Sequence, residues 1–295
     1  MRVFFLYDLT MSQDDIIISL VQTCQDRKDE LIRFVHSLNA QQGIDLSTVQ
    51  LIFYDQGQNK EVFEKLNPQI RFSYLKGERA SLSKARNICL PFVEGKYVAF
   101  PDDDCWYEPN TLSLVLKYLQ EGRYQGVTGK GTNEKGELTN KFPQESAELT
   151  PTKRCAAISY TIFAQYNADV QFDENMGVGS PFNFGAGEET DYILSLMENY
   201  GYKFFYTPDI SVHHPTSKIY NWEQNCKRAY SYARGDGYLS HKHNFPLIYI
   251  LRQLFRPLGG IMVYFLKGDY KKCRRSYLIF KGRTEGLFSN IVNSK

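Results

Sequence analysis

Three groups of side chains in this 295-residue chain are of a type and spacing that could do chemistry. The first is Pro101-Asp102-Asp103-Asp104, three consecutive acids directly after the apolar run Tyr97 to Phe100. Acids packed at a strand end repel one another, so water or a cation must compensate them. Mg2+ and Mn2+ suit such a place, because they prefer oxygen ligands and commonly take one or two carboxylates together with substrate phosphates, as a nucleotide diphosphate would offer. A solvated acidic turn that starts the helix after Glu108-Pro109 explains the same run equally well. The second group, Glu188-Glu189-Thr190-Asp191, opens a helix after a Gly-rich loop, where acids also complement the helix dipole. The third is His213-His214-Pro215, a His pair in a chain with only 5 His, able to complete a metal shell. In a strand the two rings point to opposite faces, so one of them enters a site and the other does not.

The elements that must position these groups alternate. Ile16 to Val21 reads as a β-branched strand, followed by polar QTCQDR and a helix carrying Leu31, Ile32, Phe34, Val35 and Leu38 on one side. Strands follow at Val49 to Tyr54, Ile70 to Tyr74 and Tyr97 to Phe100. Between them the pattern predicts a short helix near Glu61 to Leu66 and a helix from Ser81 to Leu90 that Pro91 ends. This β-α-β-α-β order implies an α/β fold: a mixed, largely parallel sheet with helices on both faces. In such sheets ligands bind at the carboxyl ends of the strands, which singles out the loops Gln22 to Arg27, Asp55 to Gln58 and Pro101 to Cys105. Further on, Gly126 to Gly129 and Ala157 to Ala164 read as strands, Glu188 to Tyr200 as a helix stopped by Gly201, and Lys203 to Tyr206 and Ile210 to His213 as two short strands. Phe172 to Gly187 is dense in Gly and aromatics, the composition of a mobile or substrate-shaping loop.

Composition narrows the class. A hydrophobic content of 42% supports one large core or two modest ones and excludes a disordered or coiled-coil chain. The formal charge of +2 gives no reason to expect a nucleic-acid partner. The charge is unevenly placed, however: Lys218 to Lys295 holds 15 Lys and Arg against 4 Asp and Glu, leaving 20 basic and 29 acidic residues for Met1 to Ser217. In this basic tail Pro246 to Leu266 is apolar but interrupted by Arg252, Gln253, Arg256 and Pro257, which argues against a spanning helix. Such a segment either lies on an anionic membrane surface, with Lys267, Lys271, Lys272, Arg274 and Arg275 beside it, or packs on the body of the chain or a homodimer partner. The six cysteines (Cys24, Cys89, Cys105, Cys155, Cys226, Cys273) show no CxxC spacing, so neither a zinc site nor a disulfide framework is expected. The N-terminal apolar run is short, acids follow it and no small-residue cleavage site appears, so a cytoplasmic protein is expected, peripheral on the inner face of the membrane.

The order of the motifs resembles the family 2 glycosyltransferases of GT-A fold, bacterial inverting sugar transferases among them. The resemblance runs from Ile16 to about Pro215. It rests on the IIISL strand and its loop with Asp26-Arg27, LIFYDQG, RASLSKARN (Arg79 to Asn87) and GKYVAFPDDD (Gly95 to Asp104). It continues through FDENMGVGS (Phe172 to Ser180), GAGEETD (Gly185 to Asp191) and GYKFFYTPDISVHHP (Gly201 to Pro215). The tail phrase YARGDGYLSHKH (Tyr232 to His243) is similar to bacterial members as well.

The resemblance implies a GT-A catalytic domain over 1–217, with nucleotide-sugar binding at about 14–105 and an acceptor part at about 106–217, followed by a helical C-terminal region over 218–295. It implies that Asp55 bonds the nucleotide base, that the loop around Thr23 and Asp26 closes over base and ribose, and that Lys84, Arg86, Asp102 and Asp103 contact the donor. Asp104 and Asp102 would bind Mn2+ or Mg2+, completed by His214 or alternatively His213. The catalytic base would be Glu189, where the family commonly has Asp, with Glu188 as the alternative. Phe182, Phe184 and Asp191 would meet the acceptor. The expected reaction moves a sugar from a nucleotide-diphosphate donor, a UDP-sugar foremost, to a hydroxyl of a glycan or lipid-linked glycan in surface polysaccharide synthesis. Two rival readings use the same residues. One is a sugar-phosphate nucleotidyltransferase, although QTCQDR lacks the Gly-rich triphosphate loop it would need. The other is a non-catalytic sugar-nucleotide-binding assembly subunit.

Overall fold

A computed structural model describes residues 2–5, 16–151, 157–216 and 220–289, with side chains from residue 16 onward. Its strands are β1 Arg2–Phe5, β2 Ile18–Cys24, β3 Val49–Asp55, β4 Arg71–Lys76, β5 Tyr97–Ala99, β6 Trp106–Tyr107, β7 Gly126–Thr132, β8 Ala147–Glu148, β9 Ile162–Gln165 and β10 Phe204–His213. The helices are α1 Lys28–Asn39, α2 Leu82–Cys89, α3 Thr111–Gln120, α4 Glu188–Tyr200, α5 Trp222–Lys242, α6 Leu247–Leu266 and α7 Tyr270–Leu287. The strands join one sheet in the order β1-β4-β3-β2-β5-β9-β7-β10-β6, with β8 on β10. β4, β3, β2 and β5 run parallel, as do β7 and β10, while β9 enters antiparallel between β5 and β7. The sheet is therefore mixed and largely parallel, the α/β architecture with a helical C-terminal region expected from the alternating pattern.

By its internal contacts the chain forms two compact units. The first comprises residues 1–80, 84–171 and 195–217 and contains the whole sheet. Its core is built from wholly buried strands: every residue of β3 is buried, as a parallel strand covered on both sides requires. Leu31, Phe34, Val35 and Leu38 of α1 and Leu112, Val115, Leu116 and Leu119 of α3 supply the apolar stripes that complete it. The polar row Ser19, Gln50 and Ser73 is buried on β2, β3 and β4. It is satisfied internally, Ser19 Oγ donating to Gln50 Oε1 (2.5 Å) and Gln50 Nε2 to the Phe92 carbonyl (3.0 Å).

The second unit comprises residues 81–83 and 172–194 together with the described part of 218–295. In it α7 lies against both α5 and α6. The Gly-aromatic segment Phe172 to Gly187 thus packs with the C-terminal helices, although in the sequence a helix and a strand, α4 and β10, separate it from them.

Four local expectations are corrected. The sequence pattern places a strand over Ala157 to Ala164, but β9 begins only at Ile162, because Ser159–Thr161 forms a 3-10 turn in which Thr161 Oγ1 donates to the Ile158 carbonyl. The helix read near Glu61 is a 3-10 helix, Lys60–Lys65. The two short strands at Lys203 and Ile210 are one strand, β10, whose pairing with β7 shifts register between Tyr206 and Ser211; Pro208, without an N–H, lies in that interval. Pro91 does not simply end α2 but sits in a 3-10 turn, Leu90–Phe92, that follows it. Cys24, Cys89, Cys105, Cys226 and Cys273 are free thiols, and Cys155 lies outside the described residues. No helix among the described residues is long and apolar enough to cross a membrane.

Candidate metal and donor site

Parallel pairing places Cys24, Asp55 and Lys76 in one row at the carboxyl ends of β2, β3 and β4, and the Asp102-Asp103-Asp104 run leaves β5 at the same end. One ligand atom each of Asp102, Asp104 and His214 lie within 4.8 Å of one another. Two carboxylates and an imidazole are a donor set that a Mn2+-type ion takes, and His214 Nε2 and Asp104 Oδ1, 3.0 Å apart, have the spacing of about 3 Å between adjacent ligands of an octahedral ion.

His214 is held for that role. Its backbone N–H donates to the Thr132 carbonyl (2.9 Å), its ring stacks on Tyr160 at 4.8 Å, and Nδ1 lies 2.9 Å from the Pro215 carbonyl. A carbonyl accepts only, so Nδ1 carries a proton and Nε2, 3.0 Å from Asp104 Oδ1, is the atom that faces the acids. His213 points elsewhere, as strand alternation requires. Its ring stacks on Trp106, with Nε2 at 2.6 Å from Glu108 and Nδ1 at 2.9 Å from Thr132 Oγ1. Of the two histidines proposed from sequence, only His214 belongs to the cluster.

The acids are compensated by two arginines. Arg86, almost fully buried, places Nη2 at 3.1 Å from Asp102 Oδ1, which also accepts from Ser159 Oγ at 3.1 Å. Arg27 pairs with Asp103 at 3.2 Å and also with Asp104. Burial pushes Asp102 above the ordinary carboxylate range, although Arg86 and His214 oppose it. Asp103 is pushed up to about 6, by burial first and the neighbouring acids next, against the pull of Arg27. Asp104 is also buried, yet His214 and Arg27 hold it below the usual range; burial would lower His214, but Asp104 raises it. The cluster is thus an Asp104–His214 contact flanked by Arg27 and Arg86, and a divalent ion would compete with a proton for His214 Nε2.

Asp55, expected to bond the nucleotide base, is enclosed within the protein. Its carboxylate is wholly buried and accepts four hydrogen bonds: from the N–H groups of Gly57 and Asn59 (both 2.9 Å), Asn59 Nδ2 (2.8 Å) and Tyr74 Oη (2.7 Å). Burial alone would raise its pKa, but these donors hold it below the usual range. Oδ2 also lies 3.6 Å from Lys76 Nζ, and through these bonds Asp55 fixes the turn. Asn59 Nδ2 also reaches the Gln25 carbonyl (2.9 Å), knitting the loops after β2 and β3 together. Gly57 is required there, because a Cβ would fall 1.5 Å from that same carbonyl. Asp26 is exposed beside this turn, Thr23 is half-buried opposite Tyr54, and Lys84 is exposed on α2.

In the second unit the acid pair is carried on a clamped loop. Glu188, buried, and Glu189, half-buried, open α4 after Gly187, whose φ is +102°. Ser231 of α5 binds Asn183 (Oγ to Oδ1 2.7 Å) and accepts from Gly185 N–H (3.2 Å). Gly235 lets the α5 backbone approach so closely that a Cβ would sit 2.2 Å from the Ala186 carbonyl. Phe184 is wholly buried, stacked on Tyr238 at 4.6 Å with Arg234 over its ring, so of the aromatic pair Phe182 is the exposed member. Asp191 is almost fully buried, bound by Lys242 Nζ and His243 Nε2, both at 2.8 Å, and Lys242 also reaches Asp173 at 2.7 Å. Its carboxylate is committed within the protein, not presented to an acceptor.

Arg27, Ser159, Lys242 and His243 were not singled out from sequence. Arg27 meets Asp104 across 77 residues and Lys242 meets Asp173 across 69, separations that leave no periodic signal.

The family model described as Glycosyl transferase family 2 matches residues 19–189, more than half of the chain. The chain belongs to this family. The match runs from β2 to the start of α4, so it includes Asp102–Asp104 and Glu188–Glu189 but not His214. Among solved structures, S. aureus TarS aligns with a TM-score of 0.58 at 14% identity, over 88% of this chain and 54% of that one, so this chain spans about half the length of that TarS structure. TarS 1-349 in complex with UDP-GlcNAc aligns with a TM-score of 0.57 at 14% identity over 93% of each chain. The mannosyltransferase PcManGT from Pyrobaculum calidifontis, in complex with GDP-Man and Mn2+, aligns with a TM-score of 0.58 at 10% identity over 96% of this chain and 90% of that one. At these identities the likeness is one of fold, the GT-A glycosyltransferase fold.

Proposed function

We propose that this family 2 glycosyltransferase is a metal-dependent, inverting enzyme. It moves a sugar from a nucleotide-diphosphate donor, a UDP-sugar first among candidates, to a hydroxyl of a glycan or lipid-linked glycan. The observation that carries the reading is the Asp102, Asp104 and His214 cluster at the carboxyl ends of the strands. The fold likeness to proteins bound to UDP-GlcNAc and to GDP-Man with Mn2+ supports it.

When bound, a divalent ion supplies Lewis acidity toward the diphosphate that departs. Asp102 and Asp104 would hold it with His214 Nε2, and the Pro215 carbonyl fixes the tautomer that leaves Nε2 available. Arg86 and Ser159 orient Asp102. Arg27 neutralises the remaining acid, Asp103, and sits in the β2 loop with Asp26, on the side assigned to base and ribose. Glu189, or Glu188 beside it, takes the acceptor hydroxyl proton as that oxygen attacks the anomeric carbon. The bond to the diphosphate breaks with its electron pair leaving on the nucleoside diphosphate, and one in-line displacement inverts the anomeric centre. Phe182 offers a flat apolar face to an acceptor sugar. On this reading the protein works in surface polysaccharide synthesis, peripheral to a membrane that carries the lipid-linked acceptor.

Calorimetric titration with UDP, GDP, dTDP and CDP, each with and without Mn2+, tests the donor assignment. Mn2+-dependent binding selective for one nucleotide is expected; no binding of any of them by folded protein overturns it.

A further inference from the structure

Helix α6 is apolar on two faces. Toward α5 and α7 it turns Ile250, Leu254 and the buried Pro257, with Gln253 O accepting from Arg283 Nη1 at 2.7 Å. On the opposite side the 3.6-residue repeat aligns Ile248, Leu251, Phe255, Met262 and Leu266 in one stripe, each 37% to 82% exposed. A surface helix ordinarily turns charged residues to water on this side. An apolar stripe about 30 Å long implies something that covers it.

Charge identifies the occupant. Arg252, Arg256 and Lys267 flank the stripe along one side, and Lys271 and Arg275 follow on α7. These five are exposed and make no ion pair among the described residues. Between Leu247 and Leu266 the sequence contains no Asp or Glu. A second copy docked through the same stripe would set these cations against their own counterparts with no acid on α6 to answer them. An anionic lipid surface answers both features, with acyl chains for the stripe and phosphates for its rim, at the depth of one helix lying flat. The helix does not meet the length and apolarity needed to cross.

We infer that α6 is a membrane-docking helix. It lies in the plane of an anionic phospholipid surface, with Ile248, Leu251, Phe255, Met262 and Leu266 in the acyl boundary and Arg252, Arg256, Lys267, Lys271 and Arg275 on headgroup phosphates.

The test is co-sedimentation of the full chain with vesicles of phosphatidylcholine alone and of phosphatidylcholine mixed with phosphatidylglycerol. The wild type is compared with the Phe255→Ser, Met262→Ser pair, the Arg252→Glu, Arg256→Glu pair, and Leu138→Ser as an exposed apolar control on the first unit. A cation near an anionic surface is worth about fivefold in partition. Binding to the mixed vesicles is therefore expected to drop at least about twenty-fivefold in the Glu pair and at least about tenfold in the Ser pair, with the control unchanged. Circular dichroism checks each fold, and Leu266→Ser, at the helix end, replaces the Ser pair should that pair unfold. Equal partition onto neutral vesicles, or variants that bind as the wild type does, overturns the inference. So does a dimer on size-exclusion chromatography that the Ser pair converts to monomer. Partition is read without donor or acceptor, so its failure leaves the transfer reading intact.

Discussion

Lys242 pairs with two largely buried acids, Asp173 and Asp191, and replacing it by Met has an effect of definite sign on both stability and its pH dependence.

 Its Nζ lies 2.7 Å from Asp173 and 2.8 Å from Asp191, and His243 and Tyr238 Oη complete the network at 2.8 Å each. Lys242→Met keeps the length of the side chain and removes the charge. Breaking a buried pair by deleting one partner costs about 3–5 kcal/mol; because the lysine is one-fifth exposed, we expect the lower end, about 3 kcal/mol, or a Tm lower by about 6–10 °C. The pH dependence follows from the folded-state shifts. Asp173 is buried, which alone would raise its pKa, but Lys242 holds it below the usual range, so its contribution is full above the unfolded value of about 4 and is lost as the pH falls through the folded value. Burial would lower Lys242, but Asp191 and Asp173 raise it, so its contribution is full below about pH 10.4 and is lost as the pH rises through the folded value. The stability gap between wild type and variant is therefore widest near neutrality and narrows below about pH 4 and above about pH 10.4. Urea unfolding across that range measures it. A variant as stable as the wild type at pH 7, or a gap that does not change with pH, refutes the reasoning.

Three other outcomes follow from the site. Asp55→Asn turns an amide N–H₂ toward groups that are themselves donors, and is expected to lose about 2–3 kcal/mol by urea unfolding; a loss under about 0.5 kcal/mol would show that the four bonds are not the reason for the residue. Gly57→Ala sets a Cβ against the Gln25 carbonyl, backbone that cannot swing aside, so nucleoside diphosphate affinity measured by calorimetry is expected to fall together with thermal stability, and unchanged values of both would contradict the geometry. Glu189→Gln is expected to slow sugar transfer by about 10²–10⁴ while leaving nucleotide binding in place; full turnover in this variant would move the base to Glu188 or elsewhere.

The parts of the fold legible in the sequence are those fixed by local patterning. Helix α4 runs from Glu188 to Tyr200 as its pattern predicts, because Gly187 and Gly201 flank it and both adopt the positive φ that other residues avoid. The strands β2 and β3 announced themselves as β-branched apolar runs, and the strand-end rule then located the acids of the β5 loop. The strand periodicity also foretold that the two histidines would part, although not which of them would meet Asp104. What the sequence hid depends on distant partners. Asp55 reads as an open strand-end acid, yet Asn59 and Tyr74 enclose it; Asp191 reads as one more acid of a helix start, yet Lys242 and His243, some fifty residues later, consume its charge. Phe184 reads as a sugar platform, but Tyr238 and Arg234 cover its ring.

Whether Asp102, Asp104 and His214 hold a divalent ion decides the proposed chemistry. Electron paramagnetic resonance of Mn2+ measures this directly, since the six-line signal of the free ion falls as the ion binds. Titrated in the presence of UDP or GDP, the wild type and His213→Ala are predicted to remove one Mn2+ per chain from the free signal, whereas Asp104→Asn and His214→Ala are predicted to leave it largely free. Equal uptake by the wild type and the His214→Ala and Asp104→Asn variants, or no uptake by any of them, would contradict the central claim.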